Sequence, residues 1–104
     1  MAVGLQGLPD LYPVAGFRLG TTSAGIKTPG RRDLVVMEMA ADARCAAVFT
    51  RNAFAAAPVV VAREHLAATA PRYLVINTGN ANAGTGERGL EDARHCCRAL
   101  ANLV

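Results

Sequence analysis

A segment rich in glycine, asparagine and alanine constrains this chain more than any other feature. It runs from Asn77 to Gly86, reads NTGNANAGTG, and separates an apolar strand candidate from an amphipathic helix candidate. Its three glycines allow left-handed bends and a close approach of the backbone to a ligand. The helix that follows directs unpaired N–H groups and the positive end of its dipole toward the segment. The pattern predicts a site for a negative oxygen, either of a phosphate or of an acyl-transfer intermediate.

The length and composition predict a small domain with a thin core. A chain of 104 residues forms one domain at most. Apolar residues make up 52% of it, but aromatic residues make up only 5%, so the core is expected to consist of small aliphatic groups. The apolar stripe of the last helix candidate continues to Val104. We therefore expect residues 1–104 to be the truncated N-terminal part of a larger domain.

The charge pattern argues against nucleic acids and membranes as partners. The net charge is +3, but the ten arginines are scattered and no aromatic ladder accompanies them. No apolar run is long enough to cross a membrane, and the N-terminus lacks the pattern of a secretion signal. The sequence predicts a soluble, cytoplasmic protein.

The three cysteines are interpreted as unpaired thiols in a reducing compartment, because their number is odd and no secretion signal precedes them. His95, Cys96 and Cys97 are consecutive, and consecutive helical residues point about 100° apart. They are therefore expected to pack rather than to bind a metal, and no metal or bound cofactor is predicted.

The periodicity predicts an α+β fold, with a mixed β-sheet layered with helices. Four strands are predicted, at residues 33–39, 45–50, 58–61 and 72–76. A short helix is expected over residues 63–69. The last helix carries an apolar stripe at helical spacing. The stripe consists of Leu90, Ala93, Cys97, Leu100, Ala101 and Val104.

Two nucleotide-binding motifs fit the glycine-rich segment poorly. Residues 84–89 match the dinucleotide pattern G-x-G-x-x-G, but seven residues separate them from the strand, where a dinucleotide site has almost none. Gly79 and Gly84 have the spacing of a P-loop, yet Thr85 stands where the lysine belongs. A nucleotide-binding module that uses residues 84–89 is an alternative hypothesis. The simplest interpretation is a glycine-rich turn with no catalytic or binding role.

The whole segment from Asn77 to Gly86, followed by Gly89, resembles the signature of the ornithine acetyltransferases, the glutamate N-acetyltransferases of arginine biosynthesis. The resemblance covers the chain from about Val14 to its end. Further matches occur in the same order as in that family: Gly16–Phe17, Ala24–Lys27, Asp33–Leu34, Ala46–Thr50 with Asn52, and Ala56–Val59.

The resemblance implies acetyl transfer from N-acetylornithine to glutamate through a threonine nucleophile, with acetyl-CoA as a further donor in some members. Members of the family cleave themselves at an Ala-Thr bond, and the new threonine begins a second, β chain. The family assembles as two α and two β chains. This chain would be the N-terminal part of the α chain.

The resemblance also implies that Thr85 and Gly86 form the oxyanion hole. The Thr85 hydroxyl would donate one hydrogen bond and the Gly86 N–H another. Lys27 and the three asparagines of the segment are expected to shape loops rather than to bind substrate. The cleavage segment is missing from the chain, since Ala68–Thr69 has the wrong context. The chain alone is therefore expected to be inactive, and a non-catalytic association partner is a third hypothesis.

Overall fold

The structure, a computed structural model, describes residue 4 and residues 7–104. Three strands and two helices follow one another in the order β1, β2, α1, β3, α2. The predicted α+β class is confirmed. The elements are β1 Phe17–Thr22, β2 Leu34–Met39, α1 Ala57–Ala68, β3 Tyr73–Asn77 and α2 Gly86–Leu103.

The three strands form one sheet in the order β1-β2-β3. Both pairings are antiparallel, and Met37 lies opposite Leu19 on one side and Leu74 on the other. A mixed sheet would need a parallel pair, and the described strands contain none. The apolar face built from these residues is partly open, since Leu19 is 66% and Leu74 is 45% exposed.

The strand predictions for 33–39 and 72–76 are confirmed by β2 and β3, but two others are wrong. Residues 45–50 form no strand, and Val48 in their middle is 98% exposed. Residues 58–61 begin α1, where Pro58 occupies a first-turn position. Proline suits that position because its missing N–H would have no intrahelical partner there.

The structure contains one strand that the sequence did not predict, β1. Its second half reads Gly-Thr-Thr, and all six of its residues are exposed. Pairing with β2 along its full length stabilises the extended backbone. Pairing with a neighbouring strand outweighs the weak local preference of such residues.

The two helices run side by side in the same direction from a shared starting point. The carbonyl oxygen of Asn82 accepts the Ala57 N–H at 3.3 Å and the Thr85 hydroxyl at 3.4 Å. Further along, the guanidinium of Arg94 pairs with the carboxylate of Glu64 at 3.1 Å. In the described part of the chain, the helix pair makes few contacts with the sheet.

The predicted helix at the end of the chain and the thin core are both confirmed. Of the stripe residues, Leu90, Ala93, Cys97 and Leu100 are half-buried, whereas Ala101 and Val104, which follows the end of α2, are exposed. Among the described residues, the buried apolar side chains are Met39, Ala57 and Val61. No described helix has the length and apolarity that a membrane span requires.

Candidate functional site

The glycine- and asparagine-rich segment connects the end of β3 at Asn77 to the start of α2 at Gly86. We call it the NG loop. Gly79, Gly84 and Gly86 have φ angles of +88°, +69° and +63°. The predicted left-handed bends are therefore confirmed at all three glycines. These values lie in the region that L side chains rarely adopt, so the sequence of the NG loop is matched to its backbone.

The three asparagines hold the NG loop in shape through one another. The Asn82 side-chain amide donates to Asn77 Oδ1 at 3.0 Å, and the Asn80 amide donates to Asn82 Oδ1 at 3.3 Å. The predicted loop-shaping role is confirmed. The bonds join side chains to side chains, however, rather than to the backbone. Asn82 is the central member, because its carbonyl oxygen also accepts the Ala57 N–H at the start of α1 and the Thr85 hydroxyl at the start of α2.

Thr85 and Gly86, the two predicted site residues, lie exposed at the N-terminal end of α2. The Thr85 hydroxyl donates to the Asn82 carbonyl, and its side chain lies over Gly89, where an added Cβ would clash with Oγ1. In this geometry the hydroxyl points into the NG loop and must rotate to reach a ligand. Gly86 has open space at the position that a Cβ would occupy.

Asp33 is the one buried charged side chain among the described residues, with 4% of its surface exposed. Its carboxylate accepts the Ala24 N–H at 2.7 Å and the Ile26 N–H at 2.9 Å. From the sequence, Asp33 was predicted to begin a strand and belongs to the family resemblance, but no role in a site was assigned to it. A signal was present, since one acid follows a glycine- and serine-containing loop whose N–H groups need acceptors.

The loop held by Asp33 lies against the NG loop. A Cβ added to Gly79 would lie 3.1 Å from Lys27 Cβ and 3.8 Å from Ile26 Cγ2. Lys27 therefore packs with its stem beside the NG loop, and its side chain is exposed. The structure therefore places residues 24–27 beside the NG loop, and both segments belong to the family resemblance.

A shallow cavity of about 650 Å³ lies between α1 and residues 49–55. Arg63 crosses it, with its guanidinium 5.4 Å from the centre of the Phe49 ring and a hydrogen bond to the Thr50 carbonyl at 3.0 Å. The neighbouring Phe54 ring contacts Gly84 of the NG loop. Two arginines, Arg51 and Arg63, give this wall a positive charge.

Gly84→Ala is expected to destabilise the protein by about 1 kcal/mol, because alanine is strained at its positive φ. The new methyl would also meet the Phe54 ring at 3.0 Å. Gly30→Ala is the matched control, since Gly30 has a φ of +78° and open space around it. Thermal unfolding should show a larger loss for Gly84→Ala, and Phe54→Ala should remove the difference. Equal losses in all backgrounds would contradict the contact.

The hydrogen bonds from the Ala24 and Ile26 N–H groups hold the pKa of the Asp33 carboxyl below its ordinary value. A carboxyl whose pKa is lowered by folding stabilises the protein above the unfolded pKa, near 4, and loses that effect as pH falls through the folded pKa. We therefore expect thermal stability to fall steeply below about pH 4. The slope should be shallower in Asp33→Asn and unchanged in Asp42→Asn. A slope in Asp33→Asn equal to the original would contradict the assignment.

The cysteines and histidines form no common site in the described part of the chain. The three thiols are unpaired, and no group of three or more metal-ligating side chains lies together among the described residues. Burial raises the pKa of the Cys97 thiol, which keeps it protonated. Cys97 therefore has the character of a packing residue on α2.

The fold and the NG loop define the class of protein. It is an α+β protein in which the NG loop connects an antiparallel strand to the start of a helix. A dinucleotide site needs a parallel β-α-β unit. The described strands all pair antiparallel, so residues 84–89 lack the setting of a nucleotide fingerprint.

Comparison with known proteins gives the family. The pattern of the ArgJ family matches residues 18–104, and the chain belongs to this family. It is 61% identical over 104 residues to the arginine biosynthesis bifunctional protein ArgJ of Pseudomonas syringae pv. tomato. It is 64% identical over 94 residues to the protein of that name from Methylococcus capsulatus. These alignments cover 100% and 90% of this chain, but only 25% and 23% of the relatives.

Two solved structures share the fold. The ornithine acetyltransferase of Mycobacterium tuberculosis, complexed with ornithine, aligns with a TM-score of 0.74 at 36% identity, covering 86% of this chain and 49% of that one. The bifunctional ArgJ protein of Bacillus halodurans aligns with a TM-score of 0.71 at 38% identity, covering 78% of this chain and 42% of that one. The family resemblance of the sequence is therefore confirmed. The chain spans about a quarter of the length of its curated relatives.

Proposed function

We propose that this chain is part of an acetyltransferase of arginine biosynthesis that moves acetyl from N-acetylornithine to glutamate. The match to the ArgJ family over residues 18–104 carries the proposal. The solved neighbour from Mycobacterium tuberculosis is an ornithine acetyltransferase with ornithine bound, which supports an ornithine derivative as substrate. Acetyl-CoA is proposed as a second donor, in keeping with the bifunctional name of the relatives.

The reaction needs groups that this chain does not carry. A threonine hydroxyl attacks the acetyl carbonyl, and the ornithine amine leaves with the proton. The glutamate amine then takes the acetyl group from the threonine ester and restores the hydroxyl. We place this threonine at the start of a β chain produced by self-cleavage. In this proposal two α and two β chains assemble in the cytoplasm.

This chain would supply the oxyanion donors, namely the Thr85 hydroxyl and the Gly86 N–H. Gly86 begins an 18-residue helix, so its N–H lies at the positive end of a dipole. The Gly86 N–H is held by the backbone, whereas the Thr85 hydroxyl must first turn away from the Asn82 carbonyl. Donors that are in place before the reaction stabilise developing charge without reorganising during it.

A second role for Thr85 is favoured by one specific contact. Its hydroxyl donates to the Asn82 carbonyl, the same oxygen that receives the first N–H of α1. In that role Thr85 braces the junction of the two helices and touches no substrate. The two roles differ in what the loss of the hydroxyl changes, either turnover or stability.

The test uses a hybrid enzyme, in which this chain replaces the matching quarter of the Pseudomonas syringae relative. We expect the hybrid enzyme to transfer labelled acetyl from N-acetylornithine to glutamate, and mass spectrometry to find two chains with a new N-terminal threonine. The unmodified relative is the positive control, and acetyl-CoA replaces the donor in a second assay. A folded hybrid enzyme without transfer, beside an active relative, would overturn the proposal.

A further inference from the structure

We propose that Asp33 is a positioning residue that fixes the loop of residues 24–27 to the start of the NG loop. The inference rests on the proposed function only for its effect on turnover. The anchoring itself is a property of this chain. Asp33 touches neither Thr85 nor Gly86, and it acts through the backbone that carries them.

The carboxylate holds the first of the two loops. Both of its oxygens are used, one by the Ala24 N–H and one by the Ile26 N–H. Asp33 is buried but Ala24 and Ile26 are exposed, so these bonds are partly shielded from competing water. A charged acceptor of two N–H groups makes stronger bonds than a neutral one. The loop of residues 24–27 is thereby fixed relative to the start of β2.

The backbone of the same residue holds the second loop. The Thr78 N–H donates to the Asp33 carbonyl at 3.0 Å, and the Asp33 N–H donates to the Thr22 carbonyl at 3.2 Å. Thr78 is the first residue of the NG loop after β3. One residue thus bonds to the end of β1, the loop of residues 24–27 and the NG loop.

The two loops also touch directly, so a shift in one moves the other. A Cβ added to Gly79 would lie only 3.1 Å from Lys27 Cβ, so the absence of a side chain at Gly79 allows the two loops to lie this close together. From Gly79 the backbone continues into the asparagine network, where Asn82 sets the starts of both helices. Release of the loop of residues 24–27 would therefore loosen the path from Asp33 to Thr85.

Asp33→Asn tests the anchor with almost no change of volume. An asparagine offers one acceptor oxygen, and its NH₂ group would face one of the two backbone donors. Asp42→Asn is the matched control, since Asp42 is exposed in the turn after β2 and its carboxylate accepts no bond from the described residues. Asp33→Ala serves as a second variant that removes both acceptors.

Hydrogen exchange in the hybrid enzyme provides the direct measurement. In Asp33→Asn we expect the Ala24, Ile26 and Thr78 amides to exchange at least about tenfold faster, while amides in the middle of α2 keep their rates. Thr78 is the decisive amide, because its acceptor is a backbone oxygen that the substitution leaves in place. Faster exchange there reports movement of the NG loop. Unchanged exchange at Thr78 in both Asp33 variants would overturn the proposal.

Kinetics provide the second measurement. Well below the unfolding temperature, Asp33→Asn should lower kcat about 10- to 100-fold with KM nearly unchanged, because displaced oxyanion donors affect the transition state most. Asp42→Asn should keep both constants. A folded Asp33→Asn enzyme with the original kcat would refute the effect on turnover. If the unsubstituted hybrid enzyme were itself inactive, the proposed function would fail, and exchange at Thr78 would still decide the anchoring.

Discussion

Thr85→Ala in the hybrid enzyme is expected to lower the turnover of acetyl transfer by about 100- to 1000-fold, the usual cost of losing one oxyanion donor. The hydroxyl bond that is lost inside the chain is long, 3.4 Å, and exposed. Its removal should therefore change the unfolding temperature little. A large loss of kcat in an enzyme that stays folded is the signature of the oxyanion role.

Thr85→Ser is the matched control, because it keeps the hydroxyl and removes only a methyl group. Single-turnover assays with N-acetylornithine should find Thr85→Ser within about tenfold of the unsubstituted enzyme and Thr85→Ala far below it. The opposite result is equally informative. Original turnover together with a lower unfolding temperature would show that Thr85 braces the helix junction, and the oxyanion assignment would be wrong.

The strand–loop–helix unit around the NG loop could be predicted from the sequence because its signals are local. The apolar run of β3, the glycines that need positive φ and the apolar stripe of α2 each follow from neighbouring residues. The family resemblance was visible for the same reason, since its most specific residues lie in one uninterrupted segment.

The secondary-structure predictions fail where contacts between distant parts of the chain determine the structure. The valines at 59–61 favour a strand locally, but Pro58 and the alanines that follow allow a helix, and α1 packs on α2. Residues 17–22 show no strand pattern and become one by pairing with β2. Local propensity is a weak predictor when pairing and packing oppose it.

The candidate site was predicted only in part for a related reason. Thr85 and Gly86 were found through the family resemblance, whereas the anchor Asp33 lies far from them in sequence. Its role depends on where the Ala24 and Ile26 N–H groups point, which residue types do not reveal. The role of Asn82 was equally hidden in the sequence, because it depends on which groups its backbone oxygen accepts, namely the Ala57 N–H and the Thr85 hydroxyl.

Gly89→Ala is expected to destabilise the protein by about 2 kcal/mol, although alanine normally favours a helix over glycine by about 0.5–1 kcal/mol. The new Cβ would clash with both Oγ1 and Cβ of Thr85. A rotation of the Thr85 side chain relieves the first clash but leaves the second. The backbone at the start of α2 must therefore shift, and chemical denaturation should report the cost.

In a Thr85→Gly background, the effect of Gly89→Ala on the free energy of unfolding should reverse its sign. Without a Cβ at position 85, Gly89→Ala meets no obstacle and should stabilise the helix by about 0.5–1 kcal/mol. A double-mutant cycle of the four proteins measures the coupling, and a coupling near zero would contradict the contact. Sign reversal would show that Gly89 is glycine because the Thr85 side chain occupies its Cβ position. The orientation of the Thr85 hydroxyl, on which its role depends, would then be a consequence of helix packing at the NG loop.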